Sequence, residues 1–182
     1  MYLPAEDTSL LAESVKGYEG RSALEIGAGS GAVLKVLLEN FWFVAATDID
    51  FASLKFCKDN LPNDIMLVCC DATSPFLYRF DMIVSNPPYL PVKDSEKIDF
   101  TVHGGPDGVE TTLRFIKSSM PALADNGKML IIVSSLSDNM RLDESITQMN
   151  LKRKIIGQKK LFFETLTSLE ISKQPFNDRF RP

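Results

Sequence analysis

The sequence predicts an α/β fold: a Rossmann-like, seven-stranded, mostly parallel sheet with helices on both faces and an antiparallel hairpin at its C-terminal end. Three observations carry this. Short, near-continuous apolar runs alternate with segments of helical periodicity, as expected of strands buried on both faces. The first of these runs ends in a glycine loop that opens a helix, the arrangement of doubly wound sheets. The last two runs follow one another with no helix between them, which calls for an antiparallel pair.

Thr8 to Lys16 reads as a short helix capped by Asp7 or Thr8. Ser22-Ala23-Leu24-Glu25-Ile26 is the first strand and ends in glycines. Ala32 to Glu39 has helical spacing through Val33, Val36, Leu37 and Leu38. Phe41 to Thr47 is a second apolar strand, and Phe51 to Asn60 a helix stopped by Leu61-Pro62-Asn63-Asp64. Ile65 to Cys70 and Phe80 to Ser85 are the third and fourth strands, and Pro87-Pro88 prevents the fourth from running on. Gly108 to Leu123 is helical through Val109, Leu113, Ile116 and Met120. Asn126-Gly127 reads as a turn into the most apolar strand, Lys128 to Val133. Ser137 to Met149 is an amphipathic helix. Leu151 to Ile156 and Leu161 to Ile171 are the closing strands, with a hairpin turn expected around Gly157-Gln158.

A chain of 182 residues, 45% apolar and 24% charged, can bury one sizeable core, so a single domain over residues 1–172 is expected, with residues 173–182 a flexible tail. No apolar run reaches the roughly 20 residues of a bilayer span. The opening residues lack the basic and apolar regions of a signal peptide, which predicts a cytoplasmic protein. Three cysteines, Cys57, Cys69 and Cys70, form no paired spacing and argue against a disulfide framework; Cys69-Cys70 read as buried small hydrophobes. His103 is the lone histidine, without ligand-spaced partners, so no metal is expected. The net charge of −4 counts against direct nucleic-acid binding, which draws its affinity from basic surfaces. The dense basic cluster, Lys152-Arg153-Lys154 with Lys159-Lys160, reads as the solvated face and ends of a strand.

The glycine loop Gly27-Ala28-Gly29-Ser30-Gly31 lies where doubly wound sheets bind ligands, past the carboxyl end of the first strand. Gly27, Gly29 and Ala32 also fit the looser dinucleotide pattern. Acids at successive strand ends separate the two readings. Glu25 precedes the glycines, a poor place for a pyrophosphate but a good one for an ammonium. Asp48 ends the second strand, where it can accept both hydroxyls of a ribose; Asp50 is the alternative, or the cap of the next helix. Asp71 ends the third, where it can accept from an adenine amino group or cap a turn. Ammonium, ribose and adenine together describe S-adenosylmethionine, and Gly27, Gly29, Glu25, Asp48 and Asp71 are its candidate ligands.

The fourth strand ends in Asn86-Pro87-Pro88-Tyr89. Here the sequence resembles the class I methyltransferases that modify amide or exocyclic nitrogens, whose motif is Asp, Asn or Ser followed by two prolines and an aromatic. Such a nitrogen is a poor nucleophile because its lone pair is delocalised. The Asn86 oxygen and the Pro87 carbonyl can each accept one of its hydrogens, and proline fixes the loop so that this carbonyl points into the site. Tyr89 can pack on the flat acceptor. A strong general base is not required, since the proton can leave after transfer, so positioning and electrostatics carry the catalysis. Asn86, Pro87 and Tyr89 are the candidate catalytic residues.

Further motifs narrow the likeness. Tyr2-x-Pro4-Ala5-Glu6-Asp7-Thr8, the Asn86-Pro87-Pro88-Tyr89 loop and Gly104-Gly105-Pro106-Asp107-Gly108 resemble the HemK group across roughly residues 2 to 171, most closely its short eukaryotic and archaeal members. That resemblance implies methylation of the side-chain N5 of the glutamine in the Gly-Gly-Gln loop of a translation release factor. It also implies Thr8 and Asn86 near the cofactor, Glu6 and Asp7 shaping the acceptor pocket or capping the first helix, and a glycine stretch at 104–108 that faces substrate or turns into a helix. A small zinc-binding activator subunit accompanies the eukaryotic relatives and is expected to cover an exposed apolar edge. His103 departs from the aromatic or small residue that relatives carry before the paired glycines.

Alternative readings differ in what they require. N-methylation of adenine or guanine in RNA or DNA would use the same Asn-Pro-Pro-Tyr loop but sits badly with the acidity. A lysine acceptor gains little from two hydrogen-bond acceptors. A non-catalytic scaffold that binds S-adenosylmethionine has no use for an acceptor motif, and neither has a nicotinamide oxidoreductase.

Overall fold

The computed structural model describes residues 5–62, 64–92 and 97–174; Tyr2, Pro4 and the tail from residue 175 lie outside the described residues. In chain order the elements are α1 (Glu6–Val15), β1 (Gly20–Ile26), α2 (Ala32–Asn40), β2 (Phe41–Asp48), α3 (Phe51–Asn60), β3 (Met66–Cys69), β4 (Phe80–Ser85), β5 (Leu90–Pro91), β6 (His103–Gly105), α4 (Glu110–Ala122), β7 (Leu123–Ser134), α5 (Asn139–Gln148), β8 (Leu151–Lys160) and β9 (Thr165–Lys173). Seven strands form one sheet in the order β3-β2-β1-β4-β7-β9-β8. The first five pair in parallel, and β9 is antiparallel to both β7 and β8. Strands β5 and β6 make a separate parallel pair.

The strands are apolar throughout because both faces are covered. On one face Ala23, Val44, Met82, Val84, Leu130 and Ile132 pack with Leu11 and Val15 of α1, Leu34 and Leu37 of α2, and Leu54 and Cys57 of α3. On the other, Leu24, Ile26, Ile83, Met129 and Ile131 pack with Leu113 and Ile116 of α4 and Leu142 and Ile146 of α5. Alternate residues of each strand thus serve opposite cores, as a two-residue side-chain period requires.

Chain order reverses between β1 and β4, which lie side by side with Ile26 opposite Ser85. The Ser85 hydroxyl donates to the Ile26 carbonyl at 2.9 Å and fastens the two strand ends together. A crevice opens at such a reversal because the loops leaving the two strands turn to opposite faces.

Several boundaries differ from the sequence reading. The closing hairpin turns at Leu161–Glu164, where the Leu161 N–H donates to the Glu164 carbonyl, and Gly157 lies inside β8. Gly157 follows a register shift after Ile155, and a Cβ there would come within 3.3 Å of Leu10 of α1. Close helix packing over a bulge explains this glycine better than a turn does. Asn126-Gly127 likewise sits within β7, in a bulge where Phe80 pairs with Leu123 but Met82 pairs with Lys128. Helix α1 starts at Glu6 with Ala5 as N-cap, so neither Asp7 nor Thr8 caps it. Cys69 is exposed and Cys70 half-buried, not core residues, because β3 is an edge strand with one side open. The basic cluster does lie on the exposed edge strand β8, where lysines discourage further strand pairing.

Phe80 is fully buried and contacts the rings of Phe43, Phe76 and Tyr78, whereas Trp42, beside Phe43 on β2, is 93% exposed. Phe80→Ala is expected to lower stability by about 3–5 kcal/mol and Trp42→Ala by less than about 0.5 kcal/mol. Urea denaturation measures both; comparable losses would show that the packing around Phe80 is not the core described.

Candidate active site

A cleft of about 420 Å³ opens at the carboxyl ends of β1, β2 and β4. Thr8, Glu25, Gly27, Gly29, Asp48, Asp71, Asn86, Pro87 and Tyr89 all line it, so residues spread over 82 positions converge on one cavity.

The glycine loop is built from backbone. The N–H groups of Gly27 and Ala28 both donate to the Thr47 carbonyl, at 2.8 and 3.0 Å, which turns the chain sharply off β1. Gly27 has φ +81°, and a Cβ there would meet no atom within 4 Å. The glycine is therefore required by the backbone and leaves open space on the cleft side. Asp48 braces the loop: its Oδ2 accepts from the Gly29 N–H at 3.0 Å and its Oδ1 from the Asp50 N–H at 2.9 Å. Asp50 instead caps α3, accepting from the Ala52 N–H and the Ser53 hydroxyl, and these bonds hold its carboxyl below the usual range. The structure thus separates the two acids that sequence left as alternatives.

Glu25, near the end of β1, is 4% exposed, and its Oε2 has no hydrogen-bond partner. Burial, and secondarily the charge of Asp48, push its carboxyl well above the usual range. The Leu34 backbone N–H lowers it only in part, and a buried carboxylate with one oxygen unsatisfied is costly, a cost that a cation placed in the cleft would relieve. Asn86 Oδ1 is a second buried acceptor without a partner.

Asp71 stands two residues past β3 on the exposed outer wall, where it is ion-paired with Arg114 of α4. The next residue, Ala72, takes a positive φ of 50°, a strained conformation of the kind that gathers at ligand sites.

The Asn86–Tyr89 loop is held from three sides. The Tyr89 hydroxyl donates to Asp7 Oδ2 at 3.1 Å. The Ser137 hydroxyl donates to the Tyr89 carbonyl at 2.7 Å. Behind the loop, a Cβ on Gly104 would lie 2.5 Å from the Pro88 carbonyl oxygen, and one on Gly108 would collide with that of Tyr89. The 104–108 glycines therefore back the Asn-Pro-Pro-Tyr loop and lead into α4. His103 does line the cleft, and its Nδ1 accepts from the Asp99 N–H at 2.9 Å.

Sequence reasoning missed Arg114, Phe100, Phe115, Ser137 and Glu164. Phe100, Arg114, Phe115 and Glu164 complete the cleft wall, and Ser137 holds its loop. Each comes from an element remote in sequence, and none belongs to a local motif.

A glycine loop at a sheet reversal, a buried acid with one unpartnered oxygen before it and a second acid on the next strand mark a doubly wound α/β protein with its ligand cleft at the strand ends. The sequence profile of the methyltransferase small domain matches residues 6–160, and the chain belongs to that family. A relative from Methanocaldococcus jannaschii, provisionally named a protein N5-glutamine methyltransferase, is 32% identical over 174 residues, covering 91% of this chain and 88% of its own. The release factor glutamine methyltransferase of Streptococcus pneumoniae is 31% identical over 124 residues, covering 60% of this chain and 44% of its own length, so this chain spans about half of that bacterial relative. Among solved structures, the E. cuniculi Mtq2–Trm112 complex, responsible for methylation of the eRF1 translation termination factor, superposes with a TM-score of 0.77 at 24% identity over 95% of this chain and 98% of that one. The protein is a methyltransferase. The open space at Gly27 and the unpartnered Oε2 of Glu25 leave the cleft able to take a nucleoside donor with a cationic group.

Glu25 also sets a pH dependence. Its native carboxyl is raised above the unfolded value of about 4.3, so the native state binds more protons than the unfolded state above that pH. Without ligand, stability should therefore fall as pH rises from there towards the native value, by up to about 1.4 kcal/mol per pH unit. Glu25→Gln should flatten this component in denaturant titrations from pH 4 to 8; identical pH profiles for the two proteins would contradict the assignment.

Proposed function

We propose that this chain transfers a methyl group from S-adenosylmethionine to the side-chain N5 of the glutamine in the Gly-Gly-Gln loop of a translation release factor. The observation that carries this reading is the buried, unpartnered Asn86 oxygen beside Pro87, on a loop braced from both sides, in a chain whose relatives carry glutamine methyltransferase names. An unpaired buried acceptor is a site made for an N–H donor.

Each candidate residue has a part in the proposed reaction. Glu25 accepts from the ammonium, Asp48 from the ribose hydroxyls and Asp71 from the adenine amino group. Thr8, Gly27 and Gly29 shape the pocket around them. The donor supplies an electrophilic methyl carbon on a sulfonium. Asn86 Oδ1 and the Pro87 carbonyl each accept one hydrogen of the acceptor amide, which fixes the nitrogen and orients its lone pair towards that carbon. The ring of Tyr89 packs against the flat amide group. As the nitrogen–carbon bond forms, the methyl–sulfur bond breaks and its electron pair stays on sulfur, which leaves as a neutral thioether; the methylated amide nitrogen is then acidic, so its proton leaves to solvent without a dedicated base.

Acids lining the cleft, among them Asp7, Asp71 and Glu164, disfavour the polyanionic backbone of an RNA or DNA acceptor. A release factor substrate implies action in the cytoplasm; among the described residues no helix is long and apolar enough to cross a membrane. The small zinc-binding activator subunit belongs to the same proposal. Strand β3 is a free sheet edge, and beside it Phe43, Met66, Pro75, Phe76, Leu77, Tyr78 and Phe80 line an apolar hollow of about 330 Å³. Such an edge supports a partner that covers it.

The test is transfer of labelled methyl to a recombinant release factor, with and without a candidate activator. Labelling should disappear when the Gly-Gly-Gln glutamine is replaced, and Asn86→Ala should lower kcat by about 10²–10³-fold with S-adenosylmethionine binding retained. Labelling of RNA and not of the release factor would overturn the acceptor assignment.

A further inference from the structure

We propose that Asp7 is a positioning residue for the methyl acceptor: through its hydrogen bond to the Tyr89 hydroxyl, helix α1 sets the pose of the aromatic that faces the acceptor. This rests on the reading of Tyr89 as the acceptor-packing ring. Asp7 is 3% exposed, although it stands in the first turn of a helix, where acids ordinarily face solvent. Its carboxylate spans two elements. Oδ1 accepts from the Thr8 N–H at 2.6 Å, one of the first-turn donors that the helix itself leaves unused, and Oδ2 accepts from Tyr89 at 3.1 Å. Asp7 therefore links the start of α1 to the end of the Asn86–Tyr89 loop, 82 residues away.

The link has a chemical consequence. The phenol hydrogen is committed to Asp7, so the ring face and not the hydroxyl meets the acceptor. Ser137 fixes the same residue from the other side by donating to its carbonyl. Gly104 and Gly108 bring neighbouring backbone against the Pro88 and Tyr89 carbonyls. With Pro87 and Pro88 restricting the backbone before it, Tyr89 retains little freedom except rotation of its side chain, and Asp7 removes that. A charge-assisted hydrogen bond is among the stronger single contacts available for the task. Asp7 contributes orientation alone and takes no proton from the reaction.

Two measurements on the full chain test this, one needing no acceptor. In hydrogen exchange, Asp7→Ala and Tyr89→Phe should each speed exchange at the Tyr89 and Leu90 amides about tenfold while β4 amides stay unchanged; Tyr89→Phe leaves α1 intact and guards against a simple loss of the helix. In methyl transfer, each substitution should lower kcat/KM for the acceptor about tenfold without changing S-adenosylmethionine affinity, the double variant should be no worse than either single one, and Asp7→Asn, which keeps an acceptor oxygen, should recover most of the loss. Unchanged exchange at Tyr89 and Leu90, or losses that multiply in the double variant, would overturn the proposal. Normal coupling measured on a different acceptor would leave the tether standing and reject only the glutamine assignment.

Discussion

The fold brings Glu25 to the place in the sheet where the loops leaving neighbouring strands diverge, and buries its Oε2 there without a hydrogen-bond partner. Most features of the cleft follow from that arrangement. A sheet that keeps one chain direction from β3 to β1 and then continues with β4 leaves a crevice between the two halves. The chain must leave β1 by a turn tight enough to keep that crevice open, and two N–H groups on the Thr47 carbonyl make the turn. Asp48 can then brace the turn and still face the cleft. The burial of Glu25 is unfavourable, and it is tolerated because two apolar cores hold β1 in place from both faces.

The acceptor side obeys a different logic. Its loop carries two prolines and is short of backbone donors, so it cannot be stabilised by strand pairing alone. It is instead clasped by a side chain from α1, a side chain from the segment before α5, and the glycine backbone before α4. The glycine-loop half of the cleft is made by neighbouring strand ends, whereas the Asn86–Tyr89 half is assembled from segments distant in sequence. Preorganisation of this kind is what a reaction without a general base depends on.

This division explains what could be read from sequence. Glu25, Gly27, Asp48 and Asn86 each sit at the end of an apolar run, and the run itself fixes their position, so all of them fall in one cleft as expected. The strands are legible because residues buried on both sides must be apolar. The closing hairpin is misplaced in sequence because Gly157 has the signature of a turn but serves a bulge beneath Leu10. Asp7 reads from its local sequence as a helix cap, with a place at the acceptor pocket implied only by family resemblance, because its bond to Tyr89 crosses 82 positions. Arg114, which pairs with Asp71, is invisible for the same reason. Cys69 and Cys70 read as buried because an apolar run does not reveal that its strand lies at the sheet edge.

In the proposed function the buried Glu25 carboxylate receives the ammonium of S-adenosylmethionine. Burial raises this carboxyl and an arriving cation favours its charged form, so binding a cation there is coupled to loss of a proton. Calorimetric titration of S-adenosylmethionine in buffers of different ionisation enthalpy counts those protons directly. The account predicts a net proton release by the wild-type protein that shrinks as pH is raised and is absent in Glu25→Gln. Equal proton counts in the two proteins, at every pH tested, would contradict it.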